Sequence, residues 1–177
     1  MRGRPAPAGW SASAHTALNS LGVMAVIHAL GADLAEAALS LAGLAPPVGR
    51  GERTALEIDG GTAYLVDESY NANPASVRAA IATLAGIETG PRGRRIAVLG
   101  DMLELGAASP DLHRGLAEAI EAARIDLVFA SGPLMRNLFE ALPVSRRGAV
   151  TDTAADLIEP LTRNHRSGDA VMVKGSN

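Results

Sequence analysis

Arg95-Ile96-Ala97-Val98-Leu99-Gly100-Asp101-Met102-Leu103-Glu104-Leu105-Gly106 is the stretch on which the fold turns. Its first five residues, RIAVL, are a short apolar run with no polar alternation. That pattern predicts a strand buried on both faces rather than one with a wet side. Gly100 then allows a sharp turn at the edge of the sheet, which would leave Asp101 facing a cleft. The competing reading is a capped turn with Met102 and Leu103 folded into the core. Downstream the pattern alternates: helix over Pro110 to Arg124, strand over Leu127–Ala130, helix over Pro133–Leu142, a weak strand at Gly148–Val150, helix over Ala154–Asn164 and a last strand at Ala170–Lys174. Upstream, Pro74 suits the first position of a helix running to about Leu84. Strands alternating with helices of about 10–15 residues predict a mostly parallel α/β sheet with helices on both faces. Ligands of such sheets sit beyond the carboxyl ends of the strands.

Before Pro74 the period changes. Thr54–Asp59 and Thr62–Asp67 flank Gly60-Gly61 and read as a hairpin or two adjacent strands. Pro46-Pro47-Val48-Gly49 stops any helix, so residues 46–53 read as a linker. Apolar residues at 18, 21, 25, 26 and 30 recur at helical spacing, giving a helix from His15 to Leu30. Gly31 ends it, Asp33 can cap the next start, and Leu34 to Leu44 forms a second helix. Residues 1–13, rich in Pro, Gly, Ser and Ala, read as an irregular lead-in. The expected organisation is therefore a lead-in (1–13), a short helical part (14–45), a linker (46–53) and an α/β domain (54–177).

Composition narrows the function classes. At 177 residues, 47% of them hydrophobic but only 3% aromatic, a core must be built from Ala, Leu, Val and Ile. A formal net charge of -3 gives no basic excess for nucleic acid, and Arg94–Arg95 and Arg146–Arg147 are too short to track phosphates. With no cysteine there is no disulfide framework, thiol nucleophile or thiolate metal site. Arg2 and Arg4 precede the apolar stretch Leu21 to Leu30, but polar Ser11–Asn19 intervenes and His28 interrupts it, which argues against a secretion signal. No run reaches the roughly 18 apolar residues of a membrane span.

Polar clusters fall at strand ends. Asp67-Glu68-Ser69-Tyr70-Asn71-Ala72-Asn73-Pro74 crowds carboxylates, a phenol and amides just before a helix amino terminus, where free N–H groups favour anions. The bland alternative is an Asx-turn plus a helix cap supplied by Asn73. Lys174-Gly175-Ser176-Asn177 ends the last strand and suits an anionic group, or is an exposed tail. His113 reads as a helix-surface histidine, and His15 with Asn19 as one polar helix face. Arg50, in Gly49-Arg50-Gly51-Glu52, can reach a phosphate or ribose or be merely solvated. No G-x-x-x-x-G-K-[ST], G-x-G-x-x-G after a strand, H-E-x-x-H or nucleophile elbow is present.

Taken in order, His15…Asn19, Gly49-Arg50-Gly51-Glu52, Asp67 through Pro74, Gly100 through Gly106 and Lys174-Gly175-Ser176 resemble the Mur ligases. Ser69 through Pro74 with Gly100 through Gly106 resemble the members that add D-alanyl-D-alanine to UDP-N-acetylmuramoyl-tripeptide. The resemblance runs from about residue 14 to the end. It implies a Rossmann-like carboxy-terminal domain preceded by the last helices of a central ATPase domain, incomplete at its own carboxyl end. It further implies an ATP- and magnesium-dependent amide ligase of cell-wall synthesis, cytoplasmic and monomeric, acting through an acyl phosphate. Residues 1–177 alone are expected to be an inactive part of it, with phosphate and metal ligands elsewhere. Matching positions assign Asn19 to adenine, Arg50 to the nucleotide, and Glu68, with Asp67, to the ribose. Asn71, Asn73, Asp101, Lys174 and Ser176 match positions lining the dipeptide cleft. Glu68 stands where Asp is usual, and Thr16 where many relatives have Asn. A ligase of the folate-polyglutamating type, or a stand-alone nucleotide-binding module, are the other readings.

Overall fold

The computed structural model of the chain describes residues 4–5, 14–43, 49 and 51–176. It divides into two compact units, Pro7–Pro47 on the one hand and Met1–Ala6 with Val48–Asn177 on the other.

The smaller unit holds β-free chain: α1 (Ala14–Ala29) and α2 (Leu34–Ala42), among its described residues. Gly31, at φ +70°, breaks the helical run, a conformation glycine adopts without a Cβ penalty. Asp33 starts the second helix, its Oδ1 accepting from the backbone N–H of Ala35 at 2.7 Å and of Glu36 at 3.1 Å. Leu18, Leu21, Val26, Leu30 and Leu39 are exposed.

In the larger unit, β1 (Arg4–Pro5) pairs with β2 (Glu52–Ile58), and β2 pairs with β3 (Gly61–Asp67), both antiparallel. Two readings yield here. The irregular lead-in includes a two-residue strand at Arg4–Pro5, an edge position where a proline's missing donor costs nothing. The linker is also shorter than residues 46–53, because Glu52 and Arg53 already belong to the ladder. The remaining elements follow as α3 (Pro74–Ala85), β4 (Arg95–Gly100), α4 (Ser109–Arg114), α5 (Leu116–Ala122), β5 (Leu127–Ser131), α6 (Met135–Ala141), β6 (Arg147–Thr151), α7 (Ile158–Asn164) and β7 (Ala170–Lys174). The helix expected over Pro110 to Arg124 is two helices. Gly115 ends the first, and the carbonyl it frees accepts from Arg78 Nη2 at 2.8 Å.

The seven strands form one sheet in the order β1-β2-β3-β7-β4-β5-β6, with β3, β7, β4, β5 and β6 parallel. From β3 the chain steps outward through β4, β5 and β6, then returns to insert β7 between β3 and β4. Right-handed crossovers put the helices of the outgoing steps on one face and the returning helix on the other. Burial agrees. Val77, Ile81, Leu84, Leu116, Ile120, Met135 and Leu138 pack with Val66, Ala97, Leu99, Val128 and Met172 on one side. Leu157 and Leu161 pack with Ile96, Phe129 and Val171 on the other. RIAVL thus carries Ile96 into one layer and Ala97 and Leu99 into the second, all fully buried. The architecture is α/β, Rossmann-like, with helices on both faces.

Candidate functional site

Because β7 enters between β3 and β4, the carboxyl ends of these three strands lie side by side where the chain reverses direction across the sheet. The segments leaving them are 67–73, 100–105 and 174–176, so the topology alone gathers the polar clusters. Gly100 and Gly175 allow the approach: a Cβ built on either would lie 3.3 Å from the other's Cα.

Hydrogen bonds then fix the loops to one another. Asp67 Oδ1 accepts from the backbone N–H of Ser69 at 2.9 Å and from its hydroxyl at 2.6 Å, an Asx-turn closing the end of β3. Gly51 N–H donates to Asp67 O at 2.7 Å and Tyr70 N–H to Gly49 O at 3.1 Å, which binds the residues on either side of position 50 to this turn. Lys174, the chain's single lysine, is buried at 4% exposure. Its ammonium donates to Asn71 O at 2.8 Å and Glu68 O at 3.2 Å, with Glu68 Oε2 at 3.9 Å. Asn71 is exposed, and its Oδ1 accepts from Ala72 N–H at 2.8 Å. Asn73 forms a capping box with Ser76, Oδ1 accepting from Ser76 N–H at 2.8 Å and Asn73 N–H donating to Ser76 Oγ at 3.0 Å. Ser176 Oγ donates to Ala72 O at 3.1 Å and accepts from Leu103 N–H at 3.3 Å.

Asp67, Glu68, Asn71, Asn73, Asp101, Lys174 and Ser176 are therefore brought together. Three of them are engaged in bonds within the fold. The Asp101 carboxylate does not face a cleft: it accepts from Met135 N–H at 2.8 Å and Leu134 N–H at 3.2 Å, capping α6. Asn73 is a helix cap. Lys174 is neither tail nor open cation, since it spends its ammonium on the 68–71 loop. Asn19 lies exposed on α1 in the smaller unit, while Arg50, His15's side chain and Asn177 lie outside the described residues. Sequence reading missed His113, expected on a helix surface and found fully buried, with Nε2 accepting from Met102 N–H at 2.9 Å. Its one local signal is the four-residue spacing to Ser109, whose carbonyl faces Nδ1 at 2.6 Å.

Exposed at the mouth are Tyr70, Asn71, Leu103 and Glu104, the last at φ 62°, with Glu68 half-buried beside them. This set presents an amide, carboxylates, a phenol and an apolar side chain, which suits binding and orienting a small polar ligand. It does not present a nucleophile with an adjacent base. Among the described residues no group of three or more His, Cys, Asp or Glu could hold a metal ion. Nor is any described helix long and apolar enough to cross a membrane.

Residues 49–177 match the family model described as "Mur ligase, glutamate ligase domain". The chain is 31% identical over 165 residues to the UDP-N-acetylmuramoyl-tripeptide--D-alanyl-D-alanine ligase of Bacillus subtilis (strain 168), covering 92% of the chain and 35% of that protein. It is 33% identical over 167 residues to the ligase of the same name from Escherichia coli (strain K12), covering 92% and 34%. The crystal structure of a MurF ligase from Thermotoga maritima in complex with ADP superposes with a TM-score of 0.70 at 26% identity, over 92% of this chain and 35% of that one. The chain thus spans about a third of the length of the relatives it matches.

Proposed function

The chain belongs to the Mur ligase family, through its glutamate ligase domain, and from that premise we propose that it serves an ATP-dependent amide ligase. That ligase joins D-alanyl-D-alanine to UDP-N-acetylmuramoyl-tripeptide in cytoplasmic peptidoglycan synthesis. The observation carrying this reading is the mouth at the ends of β3, β7 and β4. It assembles SYNANP and GDMLELG, two stretches far apart in sequence, around the Lys174–Ser176 strand exit. The names of the relatives favour the dipeptide over a glutamate acceptor.

In the proposed reaction, ATP phosphorylates the terminal carboxylate of the tripeptide to an acyl phosphate. The amine of D-alanyl-D-alanine attacks it, and the tetrahedral intermediate collapses to the amide and releases phosphate. Negative charge concentrates at the transferring phosphoryl group. With no G-x-x-x-x-G-K-[ST] in the 177 residues, this chain supplies other parts of the site. Asn19, Arg50, Asp67 and Glu68 are assigned to the adenosine side of the nucleotide. Asn71, with the Asn73–Ala72 backbone and Ser176, is assigned to the dipeptide; Lys174 and Asp101 hold the loops that carry them. Magnesium, which ATP use implies, finds no fitting cluster among the described residues, and no step here depends on it. The helices α1 and α2 are assigned to the end of the ATPase domain.

A hybrid ligase tests the assignment. Residues 48–177 replace the corresponding domain of the Bacillus subtilis relative, and phosphate release is measured with tripeptide substrate. The expected result is release that depends on D-alanyl-D-alanine. A hybrid that turns over with glutamate, and not with the dipeptide, contradicts the reading.

A further inference from the structure

The turn Asp101–Leu103 is bonded to Ser176, which in turn bonds Ala72 of the neighbouring loop, and the turn is held from below by a residue the proposed reaction does not use. Met102 is fully buried, so its N–H cannot reach water and needs an acceptor within the protein. That acceptor is His113 Nε2 at 2.9 Å. An accepting ring nitrogen carries no proton, so the imidazole proton sits on Nδ1, which donates to Ser109 O at 2.6 Å one helical turn earlier. The two bonds together require a neutral ring in a single tautomer. From the turn, contacts run outward: Ser176 N–H donates to Asp101 O at 3.1 Å, Leu103 N–H donates to Ser176 Oγ at 3.3 Å, and that hydroxyl donates to Ala72 O at 3.1 Å.

We propose that His113 is a positioning residue of the mouth: as the Nδ1–H imidazole it fixes the Asp101–Leu103 backbone, and through it the Ser176 hydroxyl against the Asn71–Asn73 loop. It touches no ligand. The ligase reading enters only in saying what the mouth binds; the positioning role stands on geometry and is tested without a ligand. A residue that merely filled space would be replaceable by any apolar side chain of similar volume. This role needs an acceptor, so it separates His113→Gln, whose side-chain oxygen can accept from Met102 N–H, from His113→Leu, which has none.

The measurement is nitrogen-15 NMR on the full 177-residue chain. In the wild type at neutral pH, long-range nitrogen–proton spectra are expected to show His113 protonated on Nδ1 alone, with a hydrogen-bond coupling from Met102 N–H to Nε2. A ring protonated on Nε2 overturns the proposal even if no variant folds. In His113→Leu, amide exchange of Met102, Leu103 and Ser176 should accelerate at least about tenfold, while Val98 and Phe129 in the central strands change less than about threefold. His113→Gln should recover most of the difference. Uniform acceleration across the sheet, or a glutamine variant no better than leucine, assigns His113 to general packing instead. Failure of the dipeptide-dependent hybrid would leave this result untouched, so the two claims fall separately.

Discussion

Asp101 is spent on structure, although its place after RIAVL marks it as a cleft residue. Its carboxylate takes the N–H groups of Leu134 and Met135 at the start of α6, an element that begins 34 residues later at Met135. No local spacing announces such a bond, because a cap supplied from another loop leaves no pattern in sequence. The types and neighbourhoods of Asp67, Glu68, Asn71, Lys174 and Ser176 were legible; which of their atoms were already satisfied was not. His113 went unread for the same reason, since its acceptor role depends on a backbone N–H eleven residues away. Asp101→Ala should destabilise the chain by about 1–2 kcal/mol, the cost of an N-cap with two partners, and Asp101→Asn by roughly half of that. Urea denaturation measures both. Unchanged midpoints with an unchanged m-value would return Asp101 to the list of residues free to meet a ligand.

At the scale of elements, strong signals came from apolar runs and punctuation. RIAVL, Pro74 and Gly60-Gly61 placed β4, α3 and the β2–β3 pair, because burial period and φ restrictions act within a few residues. The break between α4 and α5 was hidden: Gly115 inside a helical pattern is tolerated, and the Arg78 guanidinium that bonds its carbonyl comes from 37 residues away. The β5–α6 junction depends on another glycine. Gly132 sits at φ +107°, and a Cβ there would lie 2.4 Å from the Asp101 carboxyl carbon. Gly132→Ala should therefore cost about 2–3 kcal/mol, combining backbone strain with loss of the α6 cap. The cost in an Asp101→Ala background should shrink by about 1 kcal/mol, since the clash and the cap share one carboxylate. Strictly additive double-mutant stabilities would show that the two positions act independently.

For the molecule as a whole, the alternation of strands and helices made the parallel sheet and its two covered faces readable, whereas the strand order was not. That β7 returns between β3 and β4 is a consequence of packing and crossover handedness over the entire chain. This return creates the mouth, and the mouth is what the functional reading stands on. Its internal bonds are many, and the proposed dipeptide binding falls to Asn71, the Ala72–Asn73 backbone and Ser176. Weak affinity is expected for the dipeptide alone, in the millimolar range and on the order of -3 to -4 kcal/mol. The most direct test is a titration of the nitrogen-15-labelled chain with D-alanyl-D-alanine, with L-alanyl-L-alanine as the control. The account predicts progressive amide shifts confined to residues 68–73, 101–104 and 175–176, and larger for the D,D dipeptide. Shifts centred at the amino-terminal ends of the strands, or equal responses to the two dipeptides, would contradict it.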